Sequence, residues 1–540
     1  MKTKTEDMMK KIMMTACSLM LAMAVNAQDA YDVSRVLGNE LNGTARFVGM
    51  GGAMSALGGD ISVMGTNPAG IGIYRRNDFS VSFGMNNTAS ESAFKGTGMK
   101  EDRTKASFDQ VGFVYSYKVG NETSLRYVNF GFNYHKSKNF NKLFSMGGML
   151  DGFSQSWQLA QEMNWNNDKL DATGNEVVGY HYIGSAESFR KNLLDAENPY
   201  KEYWGKFPVL GVLGATTGLV DWPDGENGFM GWDGYSNNYY SEEKGGINEF
   251  DFNIAFNVED RFYFGATLGL YDLNYKRYSS YTEELNDDYG EDNGYYTLDN
   301  YYSLKGTGAD LKIGAIVRPI EDSPFRIGLA IHTPTFYDLS ESYNATMTTD
   351  IYYYESSYKQ TLSDYLDPSY LNYDYRLRTP WKFNVSAGTT LGGLVAIGAE
   401  YEYQDYSATK LEDMDGYTLG GESSIKDNLK GVHTFRLGME ARLAPQFSIR
   451  AGYNYSSAAF DKEAYRSLTS YGTQTEFNNT QSLNTFTLGL GYRGRVVYAD
   501  MAYKYDAYKS DFYAFDDIDL PKTDVDNFRH QLIFTLGAQF

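Results

Sequence analysis

Only one cysteine occurs in the 540 residues, Cys17, so no disulfide is available after it and no thiol chemistry. Histidine is also scarce. His135, His181, His332, His433 and His530 are scattered, and none pair at metal-ligand spacing, so neither a metal nor another cofactor is expected. No Ser-His-Asp arrangement has supporting context, and the chain is not expected to be an enzyme. Positive charge is in deficit: the formal net charge is −21, which disfavours nucleic acid as a partner. After the first 27 residues no apolar run is long enough for a spanning helix, which argues against a helical membrane protein. It does not argue against a barrel, in which only alternate residues meet lipid.

The first 27 residues read as an export signal. Lys10 and Lys11 precede an apolar run from Ile12 to Val25, and Val25-Asn26-Ala27 fits a signal peptidase site before Gln28. Glu6 and Asp7 are out of place in a positive leader, so translation from Met8 or Met9 stands beside Met1. Cys17 follows Met14-Thr15-Ala16, a loose lipoprotein pattern, but the apolar run continues past it, which favours cleavage over lipidation.

Aromatics are abundant, with 47 tyrosines and 32 phenylalanines, as the two interfacial girdles of a membrane barrel require. Leu532, Phe534, Leu536, Ala538 and Phe540 share one face of a final strand, and Ile533, Thr535, Gly537 and Gln539 the other. This terminus resembles the closing strand of Gram-negative outer-membrane barrels, which assembly machinery reads. Similar alternation recurs over residues 78–86, 107–119, 124–135, 247–258, 261–278, 302–317 and 324–339. It continues over 379–391, 394–406, 431–443, 446–456, 482–493, 495–506 and 527–540, about fourteen strands in all. One face is apolar, as in Phe250, Phe252, Ile254 and Phe256. The other is polar or small, as in Thr434, Arg436, Gly438, Glu440 and Arg442. Short connections alternate with long ones, the parity of periplasmic turns and external loops. The expected fold is all-β: a transmembrane antiparallel barrel over residues 78–540, with both ends periplasmic and long loops at the cell surface. The largest loop, 136–246, contains amphipathic stretches at 153–163 and 186–194 and reads as an external cap or as surface decoration. The acids around Glu283-Glu284 and Asp287-Asp288 do not match an EF-hand and read as a solvated loop.

Residues 28–77 are not barrel strands. Their glycines miss dinucleotide-loop spacing, because Met54 stands where a third glycine is needed, and no P-loop lysine is present. A small-residue helix over 49–57 and a stiff Asn67-Pro68 turn are expected, packed as a plug in a lumen. The motif Ala45-Arg46, Gly49-Met50-Gly51-Gly52-Ala53, Ala56-Leu57, Asp60 and Asn67-Pro68-Ala69-Gly70 resembles the hatch of the FadL family. These are outer-membrane transporters of long-chain fatty acids and other hydrophobic compounds. His332-Thr333-Pro334, as a turn, and Thr379-Pro380-Trp381, as a strand start, look similar more weakly.

The resemblance implies a fourteen-stranded barrel with an N-terminal hatch, and passive uptake of a hydrophobic molecule of the fatty-acid class. The gating residues it implies are Arg46, Gly49, Gly51, Gly52, Asp60, Asn67, Pro68, Ala69 and Gly70. Asp60 is expected to tether the hatch to Arg436 or Arg450, and the Asn67-Pro68-Ala69 turn to yield. The lumen charges Glu400, Arg436, Glu440, Arg442, Arg450 and Asp500 are expected either to hold hatch or headgroup, or to pair among themselves. The long 136–246 insertion and a neutral Gly59 depart from the family pattern, and the first leaves the substrate open. The rival functions are a docking barrel for a secretion system or surface partner, and a polar porin.

Overall fold

The computed structural model describes residues 28–167, 186–189, 191, 198–200, 207–226, 228–287, 289–352, 356–467 and 472–540. The export signal, and parts of 186–194 and of the 136–246 insertion, lie outside the described residues.

The alternating segments close into an antiparallel barrel of fourteen staves. Ten staves are single strands: β1 (Asp78–Phe94), β2 (Thr97–Lys118), β5 (Asp233–Val258), β6 (Phe262–Asn286), β7 (Asp292–Val317), β15 (Gly431–Ala444), β16 (Phe447–Ser456), β17 (Phe477–Arg493), β18 (Val497–Tyr513) and β19 (Thr523–Gln539). Four are broken in two. They are β3 (Leu125–Asn139) with β4 (Lys142–Gly152), β8 (Arg326–His332) with β9 (Phe336–Ile351), β12 (Lys382–Leu391) with β11 (Asn372–Arg378), and β13 (Val395–Asp405) with β14 (Lys410–Asp413). A short strand, β10 (Ser356–Thr361), pairs with the far end of β9.

Closure runs from Asp78 opposite Gln539 to Ala93 opposite Asp524. Asn77 and Phe540 exchange backbone hydrogen bonds of 3.0 and 3.1 Å, so the two chain ends of the wall meet at one rim. The six connections at that rim are all short, but the expected parity fails at the opposite rim, where β1 and β2 join through Lys95-Gly96 alone. At Glu259-Asp260 both residues have positive φ, 57° and 55°, which gives the hairpin the twist its strands need.

On β19, Phe534 and Leu536 are 46% and 61% exposed, whereas Ile533 and Thr535 are 0% and 1% exposed. Phe79, Phe83, Phe252, Leu329, Phe383 and Leu488 extend the exposed apolar belt around the wall. An apolar exterior over a polar, filled interior is the arrangement a bilayer selects and water rejects.

The staves are longer than the alternation suggests, because its phase inverts. Near the short-turn rim of β6, Phe264, Leu268 and Leu270 point out, whereas farther along Tyr271, Leu273, Tyr275, Tyr281 and Leu285 point in and are buried. On β7, Tyr296, Leu298, Tyr302 and Leu304 point in, and Leu311 and Ile313 point out. Where the outer face leaves lipid for water, the apolar residues change sides. The 136–246 insertion is therefore only partly a loop, since 142–152 and 233–246 continue the wall. His332-Thr333-Pro334 and Thr379-Pro380-Trp381 are not the turn and strand start expected of them. Both are stave breaks placed side by side, where Thr335 N–H donates to Thr379 Oγ1 at 2.8 Å and Thr379 N–H to Thr335 O at 3.0 Å. Proline cannot supply the ladder hydrogen bond at either place.

At the opposite rim the lumen is packed with one apolar core. Helices Ala30–Val36, Gln155–Asn167 and Val209–Thr216 contribute Val33, Leu159, Met163, Leu210 and Leu213, which bury against wall residues such as Tyr296 and Met347.

Candidate functional site: hatch, lumen charges and cavity

From Gln28 the chain enters among these loops and then descends inside the wall to Asn77. The helix Ala30–Val36 starts on a capping box, in which Asp29 accepts from the N–H groups of Tyr31 and Asp32 at 2.8 and 3.1 Å. Asp29 also pairs with Arg466 at 2.7 Å. Burial nevertheless pushes the Asp29 carboxyl up to about 6.

The lower part of the segment is built from turns. Only Ala45–Gly49 is α-helical, not 49–57, because Gly51, Gly52, Gly58 and Gly59 take positive φ and reverse the chain. Two short 3-10 helices follow, Ile61–Gly65 and Pro68–Ile73.

Wall glycines admit this plug. A Cβ on Gly438 would lie 2.2 Å from Met50 O, one on Gly452 2.2 Å from Gly51 N, one on Gly398 2.0 Å from Ala53 O, and one on Gly265 2.4 Å from Pro68 C. Backbone lies on backbone at each of these places, which only glycine allows. Gly49 works from the hatch side, since its Cβ would meet Gly489 Cα at 3.3 Å. Gly51 likewise faces Leu437 O and Tyr453 N, each 3.0 Å from its would-be Cβ. Gly52 would drive a Cβ into Leu41 at 2.9 Å.

The tether is Arg46, not Asp60. Arg46 forks onto Glu440 through Nε and Nη2, at 3.0 and 3.1 Å, and donates from Nη1 to Gly59 O at 2.8 Å. Asp60 contacts neither Arg436 nor Arg450. It caps the Ile61–Gly65 turn, accepting from Ser62 N at 3.0 Å and from the Thr44 hydroxyl at 2.7 Å. A short acidic side chain before a turn is a cap signal, and that local signal outweighs the long-range pairing expected of Asp60.

The Asn67-Pro68-Ala69 turn is also more firmly held than expected. Asn67 Oδ1 accepts from Ala69 N at 3.1 Å, Asn67 O from Gly70 N at 3.0 Å, and Pro68 O from Asn253 Nδ2 at 3.3 Å. Gly70 O accepts from Gly59 N at 3.1 Å, and a Cβ at Gly70 would lie 2.6 Å from Val63. Asn67 and Ala69 are fully buried. The expected weak point is a bonded and packed one.

Five of the six expected lumen charges pair. Arg450 joins Glu440 at 2.6 Å and Asp500 at 2.7 Å, so a chain Arg46–Glu440–Arg450–Asp500 links hatch to wall. Arg436 pairs with Glu400 and, at 3.2 Å, with Glu402. Arg442 is the exception: it sits exposed near the short-turn rim. Sequence reading missed Glu402, and it missed Glu249, Asp251 and Lys312, which form a second buried group. Their signal was available, since Glu249 and Asp251 alternate with the outward Phe250 and Phe252.

Between the hatch body and the packed mouth lies a cavity of about 470 Å³. Phe47, Ser62, Gly65 and Thr66 of the hatch line it, as do Tyr31 and Arg35 of the first helix. Phe140, Phe144, Phe460 and Phe512 supply apolar wall, and Lys138, Arg277, Arg529 and Glu476 supply charge. The side chains present suit a molecule with an apolar body and a polar end.

The fold and lumen define a membrane β-barrel with a plug-like N-terminal segment. No family model matches the sequence, and no curated protein matches it. Among solved structures, a TodX monoaromatic hydrocarbon channel (deltaS2 mutant) is 11% identical, covers 92% of this chain and 98% of its own, and has a TM-score of 0.50. A FadL homologue of Pseudomonas aeruginosa is 11% identical, with 93% and 99% covered and a TM-score of 0.49. The toluene transporter TodX of P. putida is 13% identical, with 93% and 99% covered and a TM-score of 0.47. At these identities the likeness concerns the fold. Structural neighbours of this chain are FadL-type transporters, the family that the glycine-rich segment resembles.

Proposed function

We propose that this protein is a passive channel of the outer membrane for hydrophobic small molecules of the fatty-acid class. The loop-rich rim faces the cell surface and the Asn77–Phe540 rim the periplasm. The observation that carries the reading is the cavity of about 470 Å³, part aromatic and part charged, directly above the hatch. A substrate is captured by the apolar loops, held there, and released when the hatch yields. Because the Asn67 turn is bonded and packed, the hatch yields at its Arg46 tie to the wall, and the motion needs no energy source.

A docking barrel is the second reading, and one observation favours it: the mouth is filled by a continuous apolar core rather than open. Uptake separates the two. Cells lacking their own fatty-acid channel, expressing this chain at matched surface levels, should accumulate labelled oleate faster than empty-vector cells. A parallel arm with labelled toluene tests the wider hydrophobic class. If both arms equal the empty vector, uptake is refuted and the docking reading takes its place.

A further inference from the structure

Five ionisable side chains meet inside the wall below the cavity. His135 comes from β3, Glu249 and Asp251 from β5, and Asp310 and Lys312 from β7. The intervening β6 has Gly269 there, where a Cβ would lie 2.3 Å from Asp310 Oδ1 and 2.9 Å from Lys312 Nζ, so the side chains reach across it. Glu249 and Asp251 are fully buried, and Lys312 is nearly so.

Lys312 occupies one oxygen of each β5 carboxylate, donating to Asp251 Oδ1 at 2.7 Å and to Glu249 Oε1. The other oxygens, Glu249 Oε2 and Asp251 Oδ2, have no hydrogen-bond partner. Both face His135, whose Nε2 is 3.3 Å from Glu249 Oε2 and whose Nδ1 is 3.8 Å from Asp251 Oδ2. Three carboxylates surround one ammonium, an excess of negative charge in a place without bulk water. The nearby Lys382 is 3.9 Å from Glu402, with its own partner.

We propose that His135, Glu249 and Asp251 bind a divalent first-row transition cation of the zinc class. Ligand atoms of the three lie within 4.8 Å of one another. Around a cation with bonds of about 2.0–2.2 Å, neighbouring ligand atoms stand roughly 3.3 Å apart, so the separations must close by at most about 1.5 Å to complete the set. Imidazole with carboxylate oxygen is a donor set for such ions. A dication cancels the excess charge and satisfies both unpartnered oxygens. His135, Gly65 and Thr66 also line the cavity, which supplies the entry path and an open coordination position. Gly65 covers the group: its would-be Cβ lies 3.5 Å from His135 Cε1 and 3.6 Å from Asp251 Oδ2. The ion would thus sit where hatch, wall and cavity meet.

The test uses the full chain, purified in detergent, stripped with EDTA and titrated with Co2+. One Co2+ per chain is expected, with visible ligand-field bands, displaced by Zn2+. His135→Gln and Asp251→Asn should each weaken binding by about a hundredfold or more, beyond the 10–100-fold typical of outer-shell changes. His332→Gln should bind as wild type, since that buried histidine bonds Thr66 O instead, at 2.9 Å. X-ray absorption of the Zn2+-loaded wild type should show one imidazole ligand, a readout that no variant's folding affects. Absence of stoichiometric binding would mean that protons neutralise the carboxylates and would overturn the proposal. So would an imidazole-free spectrum, or unchanged affinity in a folded His135→Gln protein.

Discussion

A single methyl group at Gly438 should loosen the hatch while leaving the barrel standing. A Cβ at this wall position would be 2.2 Å from Met50 O, 3.0 Å from Met50 C and 3.3 Å from Ala53 Cβ. Ordinary contacts of this kind begin near 3.4 Å, so about 1 Å of separation must be found. The wall has little freedom to provide it, because Gly438 is paired on both sides, to Gly398 and to Gly452. The hatch must therefore move. Overpacking of this kind costs about 1–3 kcal/mol, which corresponds to a roughly 5- to 150-fold rise in the displaced population. The cysteine-free sequence after residue 17 makes a clean reporter possible. Ser55 is fully buried in the hatch, so Ser55→Cys should label slowly with maleimide in the parent and 5- to 150-fold faster beside Gly438→Ala, by that same conversion. Heat-modifiable migration should be the same in both proteins. Equal labelling rates with an intact barrel would refute the reasoning, and so would loss of the barrel, which would show that the wall gives way first.

Arg46→Ala should loosen the same segment, because it removes a forked ion pair and the Gly59 contact. Glu440 keeps Arg450, so the loss should stay at about 1–3 kcal/mol, below the value for a stranded buried charge; hydrogen exchange over residues 44–60 measures it, and wild-type protection there would count against the tie. Phe534→Arg should cost about 2–4 kcal/mol if that outward site lies at the bilayer midplane; an unaltered unfolding midpoint in liposomes would contradict the orientation of the closing strand. The Asp29 carboxyl is raised from 3.8 to about 6, so the folded state holds its proton more tightly than the unfolded chain. That stabilisation is complete below pH 3.8 and gone above about 6. Protection factors in helix Ala30–Val36 should accordingly rise from pH 7 to 5, and a fall would reverse the sign.

Much of the wall is legible in the sequence, because a membrane barrel writes its environment into every second residue. The segments 78–86, 247–258 and 527–540 alternate strictly, since one side meets lipid and the other a polar lumen. The short turns at the Asn77–Phe540 rim follow the expected parity, the Lys95-Gly96 turn at the other rim departs from it, and the closing strand declares itself through Phe534 and Leu536. The ends of the staves are hidden by the same physics. Above the lipid, outward residues turn polar and Tyr281, Leu285 and Tyr296 turn inward, so the alternation reverses phase and reads as a loop. The glycine-rich order from Gly49 to Gly70 marks a tightly packed segment. Which wall glycines receive it follows only from register, which brings Gly398, Gly438 and Gly452 side by side across three staves. The charge partners belong wholly to the tertiary structure. Arg46 and Glu440 are 394 positions apart, and His135 meets Glu249 and Asp251 only because β3 pairs with β5. A local cap such as Asp60 can be recognised from its immediate neighbours. An ion pair between a plug and a wall depends on where the closed sheet puts each side chain, and sequence spacing does not carry that distance.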